Sequence, residues 1–473
     1  MEIKIIYGPP GTGKTTTLLN IVEEELVKVS PNKIAYVSFT RQGVYEGRDR
    51  AIVKFNYKKD DFPYFKTLHS IAFNQAGMTR NKMISRDDYR KFSKAMGMNF
   101  TGYYTEEFFH TDDQYIFFDI LHRNNPSIAG NYLDNLDMNT LKFVRNNYRQ
   151  FKDQMGIVDF TNLIEIYCDT NKALPVDVAI IDEAQDLTTL QWKMVWIAFR
   201  NCKRIYIAGD DDQSIYEWSG ADINQLMNIQ GDQIVLSKTY RLPQTVWKYS
   251  KQIVEMIQKR ISKDFRSYNI EGSIKYIESF EELQIDNDSS WLFLSRNNFF
   301  LKEIEHYLKY KGLIYFKKGK CSIEFQIINA IIYYEGIFKR KLSLNMIYKL
   351  LPYLNEDDME QLKADKYKPW FEVFRLTPDE ISYYRDIFSM GYDFNKNNIK
   401  INIRVETIHS AKGSEADNVV MITDITSNVH KNLLKNADSE LRCYYVGITR
   451  TKKNLYLVTP KTQRYYDFYY REI

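Results

Sequence analysis

Two short segments of this chain carry residue types suited to handling a phosphate chain. Gly8-Pro9-Pro10-Gly11-Thr12-Gly13-Lys14-Thr15 has the spacing G-x-x-x-x-G-K-[ST], with Thr16 continuing it. Glycines at these positions let successive backbone N–H groups turn inward around phosphate, and the start of the following helix adds partial positive charge. In such a loop Lys14 reaches the β- and γ-phosphates and the Thr15 hydroxyl binds Mg²⁺. The second segment, Val178-Ala-Ile-Ile-Asp182-Glu183, delivers two carboxylates from an apolar run. Asp182 suits Mg²⁺, and Glu183 is placed to orient and deprotonate an attacking water. That set of groups fits hydrolysis of a nucleoside triphosphate, with Mg²⁺ as cofactor. The reaction also needs a cation against the charge developing on the γ-phosphate, whose loss typically costs about 10³–10⁵ in rate. Arg241, in Thr239-Tyr240-Arg241, and Arg450, in Gly447-Ile448-Thr449-Arg450, are the two candidates.

These residues need a scaffold that presents them at one edge. Continuous apolar runs at Ile3–Tyr7, Ile34–Phe39, Val178–Ile181 and Ile205–Ala208 read as buried parallel strands, and Thr16–Val27 as the helix that the glycine loop opens. A second series, Trp291–Ser295, Val405–His409, Val419–Ile422 and Leu455–Val458, reads the same way. The expected fold class is α/β: two lobes with parallel sheets, with ligands at the strands' C-terminal ends. Residues 78–155 and 331–397 are polar, aromatic and helical in flavour, and are expected to be small helical insertions. The expected division is 1–77 with 156–236 as the first lobe, 78–155 as its insertion, 237–330 with 398–473 as the second lobe, and 331–397 as a reduced insertion. No internal repeat stands out.

Composition narrows the function classes without choosing among them. At 473 residues the chain is too long for one core. A net charge of +4 permits a local nucleic-acid groove but does not argue for one. Four scattered cysteines, without a C-x-x-C pair, speak against a zinc site or a disulfide framework. No apolar run reaches the length of a membrane span, and the strand-like start does not read as a signal peptide, so a cytoplasmic protein is expected. Aromatics make up 15% of the chain, which either fills cores or supplies stacking platforms for bases; only their positions can decide.

Further motifs follow the glycine loop in order: Ser38-Phe39-Thr40-Arg41, Thr67-Leu68-His69-Ser70, Asp182-Glu183-Ala184-Gln185-Asp186, Gly209-Asp-Asp-Asp-Gln213-Ser-Ile-Tyr216-Glu-Trp218-Ser-Gly220, Thr239-Tyr240-Arg241, Thr407-Ile-His409-Ser-Ala-Lys412-Gly413-Ser-Glu415 and Tyr444-Tyr-Val-Gly-Ile-Thr449-Arg450. In this order they resemble superfamily 1 DNA helicases of the UvrD/Rep/PcrA type, and the resemblance covers most of the chain outside the insertions. It implies two RecA-like lobes, ATP in the cleft between them and single-stranded DNA across their top. By that resemblance Gln213 contacts the γ-phosphate, Tyr240 stacks on adenine, Arg241 and Arg450 meet phosphate, and Glu415 meets the ribose. Phe39, Thr40, Arg41, His69, Tyr216, Trp218 and His409 fall on the DNA side. Core packing is the competing role for Phe39 and Trp218, and a structural hydrogen bond for the two histidines.

The sequence departs from the family in three places. Seven residues precede Gly8, which leaves no room for the family's adenine-reading glutamine, so weak discrimination among nucleotides is expected. Trp218-Ser219-Gly220 stands where the family has Trp-Arg-Gly. The second insertion is short, which fits a motor that translocates more readily than it unwinds. The resemblance implies 3′-to-5′ movement, single strands and single-strand/duplex junctions as partners, and contact with replication, repair or recombination proteins. The alternatives are a single-strand clamp or protein-displacing translocase, and an RNA or 5′-to-3′ motor.

Overall fold

The structure is a computed structural model and describes every residue except 40, 105–111, 131–135, 269, 339–349, 355–367, 393, 395–398 and 469–473. Its contacts divide the chain into two units. The first holds Met1–Ile270 and Lys431–Thr449, the second Glu271–His430 and, among the described residues, 450–468.

In the first unit, β1 (Glu2–Tyr7), β2 (Ile34–Ser38), β3 (Val178–Asp182), β4 (Arg204–Gly209) and β5 (Asp232–Val235) form one sheet in the order β2-β3-β4-β1-β5. Every pairing is parallel. The strands read as unbroken apolar runs because both faces of the sheet are covered. Side chains alternate between them. Ile5, Tyr7, Val37, Ile181 and Ile207 pack on one face with Trp192, Val195 and Leu163. Ile6, Tyr36, Ile180, Tyr206 and Ala208 pack on the other with Leu18, Leu19 and Val22 of α1 (Lys14–Leu26). Each such aliphatic side chain contributes about 1.5–3 kcal/mol on burial. The strand missing from the sequence reading is β5, an edge strand of sequence Asp-Gln-Ile-Val with mostly exposed side chains. One-sided and polar, it carries no apolar run to recognise.

The second unit contains β6 (Ser273–Ile277), β7 (Trp291–Ser295), β8 (Phe316–Lys317), β9 (Lys320–Cys321), β10 (Ile403–Thr407), β11 (Ala416–Ile422) and β12 (Thr451–Val458), in the order β6-β12-β11-β7-β10-β8-β9. Its pairings are parallel apart from the β8–β9 hairpin. The hairpin turns through Lys318 and Gly319, both at positive φ, as a tight two-residue connection requires. Both expected sheets are therefore present, and the fold class is α/β with two parallel-sheet units. Residues 237–270 and Lys431–Thr449 belong to the first unit, whereas the sequence reading opens the second lobe at residue 237.

Between Gly77 and Gly156 the described residues are helices and connecting loops, among them Arg86–Met96, Asp113–Asn124 and Met138–Met155. Aromatics fill their interior: Tyr89, Phe92, Phe100 and Tyr148 are buried together, and Tyr104 donates to the Tyr89 hydroxyl at 3.1 Å. Much of the aromatic excess is thus core. The described part of 331–397 is likewise helical, with Tyr334, Trp370, Phe374 and Tyr383 at its centre.

Two cations, Arg123 and Lys152, tie the first insertion to its unit, and Lys152 pairs with Asp159 at 2.5 Å. Arg123 donates to Asp119 at 3.0 Å, to Asp159 at 2.7 Å and to Glu165 at 3.1 Å. Asp159 also caps the helix Phe160–Thr170, accepting from Asn162 N at 2.8 Å. In R123M, Asp159 keeps Lys152 and Asp119 keeps Arg145, so the loss in urea unfolding at pH 7 should be that of charged hydrogen bonds, about 1.5–3 kcal/mol.

Candidate functional site

The glycine loop joins β1 directly to α1, so the helix start faces whatever the loop holds. Gly11 and Gly13 take positive φ of 71° and 83°. Gly8 matters for a different reason. A Cβ there would lie 2.0 Å from Lys14 Cγ, so only glycine lets the lysine fold back over the loop. Lys14 Nζ donates to Gly8 O at 2.7 Å, and Thr12 Oγ1 donates to Pro9 O at 2.8 Å. Pro9 and Pro10 complete the loop, while Thr15 and Thr16 lie in the first turn of α1.

Asp182 ends β3, level with the end of β4, whose Gly209 carbonyl accepts from Gly8 N at 3.0 Å. The carboxylates therefore reach the same C-terminal edge as the glycine loop. Asp182 is buried and accepts from the Tyr36 hydroxyl at 2.8 Å. Burial, then the neighbouring Glu183 charge, push its carboxyl up to about 6, against the pull of Tyr36 and Lys14. A buried carboxylate raised in this way suits a divalent cation. The donor set of one carboxylate and the Thr15 hydroxyl is one that Mg²⁺ accepts, since Mg²⁺ keeps water and phosphate oxygens for its other positions. Glu183 sits at φ 52°, ψ 42°, a left-handed conformation that a side chain disfavours by about 1–2 kcal/mol. Its amide donates to Asp182 Oδ1 at 2.9 Å, and its carboxylate accepts from Gln185 Nε2.

Gln185 leads to a part of the site that the sequence reading missed. Its Oε1 accepts from Asp210 N at 3.0 Å, and its backbone carbonyl accepts from Ser214 Oγ at 3.0 Å. Asp210 in turn accepts from Gln213 Nε2 at 2.7 Å. Asp210, Asp211 and Asp212 are all buried, and Lys263, itself buried, meets all three: Asp210 at 3.0 Å, Asp212 at 2.9 Å and Asp211 in still closer contact. Arg260 adds a two-pronged pair to Asp212 at 2.9 and 2.8 Å. Burial lowers the tendency of Lys263 to hold its proton, but the three carboxylates more than reverse that. Asp210 is held below the usual carboxylate range, burial notwithstanding, by Lys263, Lys14 and Gln213, while burial pushes Asp211 above it. Three consecutive aspartates after a strand were the available signal: side by side and buried, they require a cation from elsewhere.

The Thr239–Arg241 segment is docked on the glycine loop within the first unit. Thr239 Oγ1 donates to Pro10 O at 2.7 Å, and Tyr240 N donates to Gly11 O at 2.8 Å. A Cβ on Gly11 would lie 2.4 Å from Arg241 Cβ, so that glycine also admits the segment. The Tyr240 ring is 63% exposed. Arg241 Nη1 donates to Thr449 O at 3.4 Å. In the second unit, buried Arg450 donates from Nη1 to Ser414 O at 3.3 Å, beside exposed Glu415, which pairs with Lys452 at 3.7 Å.

Among the residues expected on the DNA side, Phe39 and Tyr216 come together, with ring centroids 5.3 Å apart at 31°. Phe39 is partly buried against the sheet core. Trp218 is partly buried and stacks on Phe117 of the insertion, at 6.1 Å and 25°. His69 meets the ring of Phe160 edge-on at 5.8 Å, and Phe160 is an exposed aromatic that the sequence reading passed over. Thr40 lies outside the described residues, and Arg41 opens the helix Arg41–Phe55. His409 lies in the second unit within a turn that repeats the one around His69. Thr67 and Ser70 hydroxyls are 2.9 Å apart with Ser70 N donating to Thr67 Oγ1 at 3.2 Å; Thr407 and Ser410 show 2.9 and 3.3 Å. The Thr-x-His-Ser turn is thus built twice, once in each unit, although no repeat stands out in the sequence.

A parallel sheet, a glycine loop that opens a helix and an acidic strand end two strands away define a P-loop fold of the nucleoside-triphosphate-binding class. Residues 2–233 match the UvrD/REP helicase N-terminal domain, and residues 402–458 match the UvrD-like helicase C-terminal domain. The chain belongs to the UvrD/REP helicase family. It is 24% identical over 391 residues to the ATP-dependent DNA helicase PcrA of Leuconostoc citreum, covering 75% of this chain and 51% of that protein. It is 22% identical over 378 residues to the ATP-dependent DNA helicase Rep of Buchnera aphidicola subsp. Baizongia pistaciae, covering 75% and 56%. The chain spans about half the length of these curated relatives. Among solved structures it is similar to the PRRSV helicase at 10% identity and a TM-score of 0.35, covering 98% of this chain and 53% of that one, a distant likeness that adds nothing to the fold described above.

The raised Asp182 carboxyl has a consequence for stability. A folded-state value above the unfolded one favours the folded protein at low pH, and that contribution is lost as pH rises through about 6. D182N removes the penalty and keeps an acceptor for Glu183 N. In metal-free buffer D182N should therefore melt higher than wild type at pH 7.5, with the difference shrinking as pH falls toward 4. A melting temperature below wild type at pH 7.5 would contradict this account of the buried pair.

Proposed function

We propose that this chain hydrolyses ATP to move 3′-to-5′ along single-stranded DNA. The observation that carries the reading is a glycine loop that opens α1, folds Lys14 back onto Gly8 O and sits at the same strand-end edge as Asp182. In the proposed reaction Lys14 leaves the Gly8 carbonyl for the phosphates. Thr15 and Asp182 would hold Mg²⁺, which would supply positive charge to the phosphate oxygens. Glu183, steadied by Gln185, takes a proton from the attacking water, and Gln213 senses the γ-phosphate through the Asp210 turn. Arg241 supplies positive charge close to the loop. Arg450 and Glu415 enter on their motifs.

Single-stranded DNA is the proposed track. The paired rings of Phe39 and Tyr216, with His69 and Phe160, support it: stacking on bases is worth about 1–3 kcal/mol per base and tolerates any sequence. The curated relatives carry the name ATP-dependent DNA helicase, and the polarity follows from the family resemblance. The same reading places the protein in the cytoplasm, working at single-strand/duplex junctions beside replication, repair or recombination proteins. Among the described residues, no helix is long and apolar enough to cross a membrane.

ATP turnover should rise severalfold with single-stranded DNA and much less with RNA of the same sequence. Translocation should displace streptavidin from a 5′-biotinylated oligonucleotide and leave a 3′-biotinylated one occupied. Lys14→Ala should lose turnover while melting as wild type does. Equal stimulation by RNA would remove DNA as the track, and displacement from the 3′ end would reverse the polarity.

A further inference from the structure

We propose that Tyr268 and Lys238 join Tyr240 in receiving the base of the bound nucleotide, so that the site recognises a purine by its ring surface. This rests on the nucleotide-binding reading above. Tyr240 begins at the lip of the glycine loop, because its amide donates to Gly11 O, yet its ring stays largely out of the core. A second segment lies alongside. Thr239 N donates to Arg266 O at 3.0 Å, Arg266 N to Ser237 O at 2.8 Å, and Tyr268 N to Leu242 O at 3.1 Å. These three bonds fix Tyr268 beside Tyr240, with ring centroids 6.4 Å apart at 54°. Both tyrosines are exposed, Tyr268 at 38%. The Lys238 ammonium lies 5.3 Å from the centroid of the Tyr240 ring.

The two rings form a corner. One offers a face and the other stands tilted beside it, the arrangement in which a third aromatic plane can stack on the first and meet the second at its edge. A base one ribose away from phosphates held in Gly8–Thr15 is such a plane. Lys238 adds a donor and a positive charge beside the stack, which suits the electron-rich N7 edge of a purine. Because ring area and one lysine do the recognising, adenine and guanine should bind alike, and both better than the smaller pyrimidines.

The test compares dissociation constants of ATP, GTP, CTP and inorganic tripolyphosphate, which has no base, for wild type, Y268A and Y268F. Wild type should bind ATP and GTP within a factor of about three of each other and CTP more weakly, since the pyrimidine offers less stacking area. Y268A should weaken ATP and GTP about fivefold, the scale of one edge-to-face aromatic contact, and leave tripolyphosphate unchanged. Y268F, which keeps the ring, should bind as wild type does. Unchanged ATP affinity in Y268A overturns the proposal. So does an equal loss for tripolyphosphate, which would mean that the loop itself had been disturbed. A wild type that binds tripolyphosphate but not ATP also overturns it, whereas binding of neither would sink the nucleotide-binding reading itself.

Discussion

Lys263 is the interaction on which the rest of the site depends. Three consecutive aspartates leave the end of β4 with no access to water, and unpaired carboxylates in such a place would cost several kcal/mol each. One buried ammonium touching all three, with Arg260 on the third, makes the turn possible. The turn then positions two amides. Gln213 is held by Asp210, and Gln185 is held by the Asp210 backbone while reaching Glu183. A charge-neutralising contact made some fifty residues along the chain thereby orients Gln213, Gln185 and Glu183 beside the acidic strand end. Buried ion pairs of this kind add little net stability over an apolar core; what they contribute here is orientation.

The acidic strand end carries both backbone strain and unbalanced charge. Asp182 and Glu183 bring like charges together at a buried strand end, and Glu183 adopts a left-handed backbone. Such features persist only where surrounding structure imposes them, and they concentrate at functional sites. Here the fully buried β2 and β3 impose them, fixing Asp182 in register with Ser38. A rigid, doubly covered sheet supplies the stability against which a locally unfavourable carboxylate pair can be maintained.

The aromatic residues divide by the same logic. Tyr89, Tyr148, Phe92 and Trp370 fill the interiors of the helical insertions. Tyr240, Tyr268 and Phe160 remain exposed, the first two beside the glycine loop and the third against His69, where burial offers no explanation for them. Trp218 stands between the groups: it follows a polar loop but stacks on Phe117, so core packing accounts for much of its surface.

The sequence by itself determined the two parallel-sheet units, the glycine loop and the acidic strand end. These are local: a strand buried on both faces must be apolar throughout, and a loop wrapped around phosphate must be glycine-rich, so each announces itself within a few residues. Edge strands such as β5, with one polar face, left no such mark. Only the tertiary structure decided that Thr239–Arg241 sits on the glycine loop, that Lys263 answers the three aspartates, and that Tyr268 stands beside Tyr240. Each of those rests on a contact between distant segments, and residue types separated by tens or hundreds of positions carry no period or spacing from which the contact could be read.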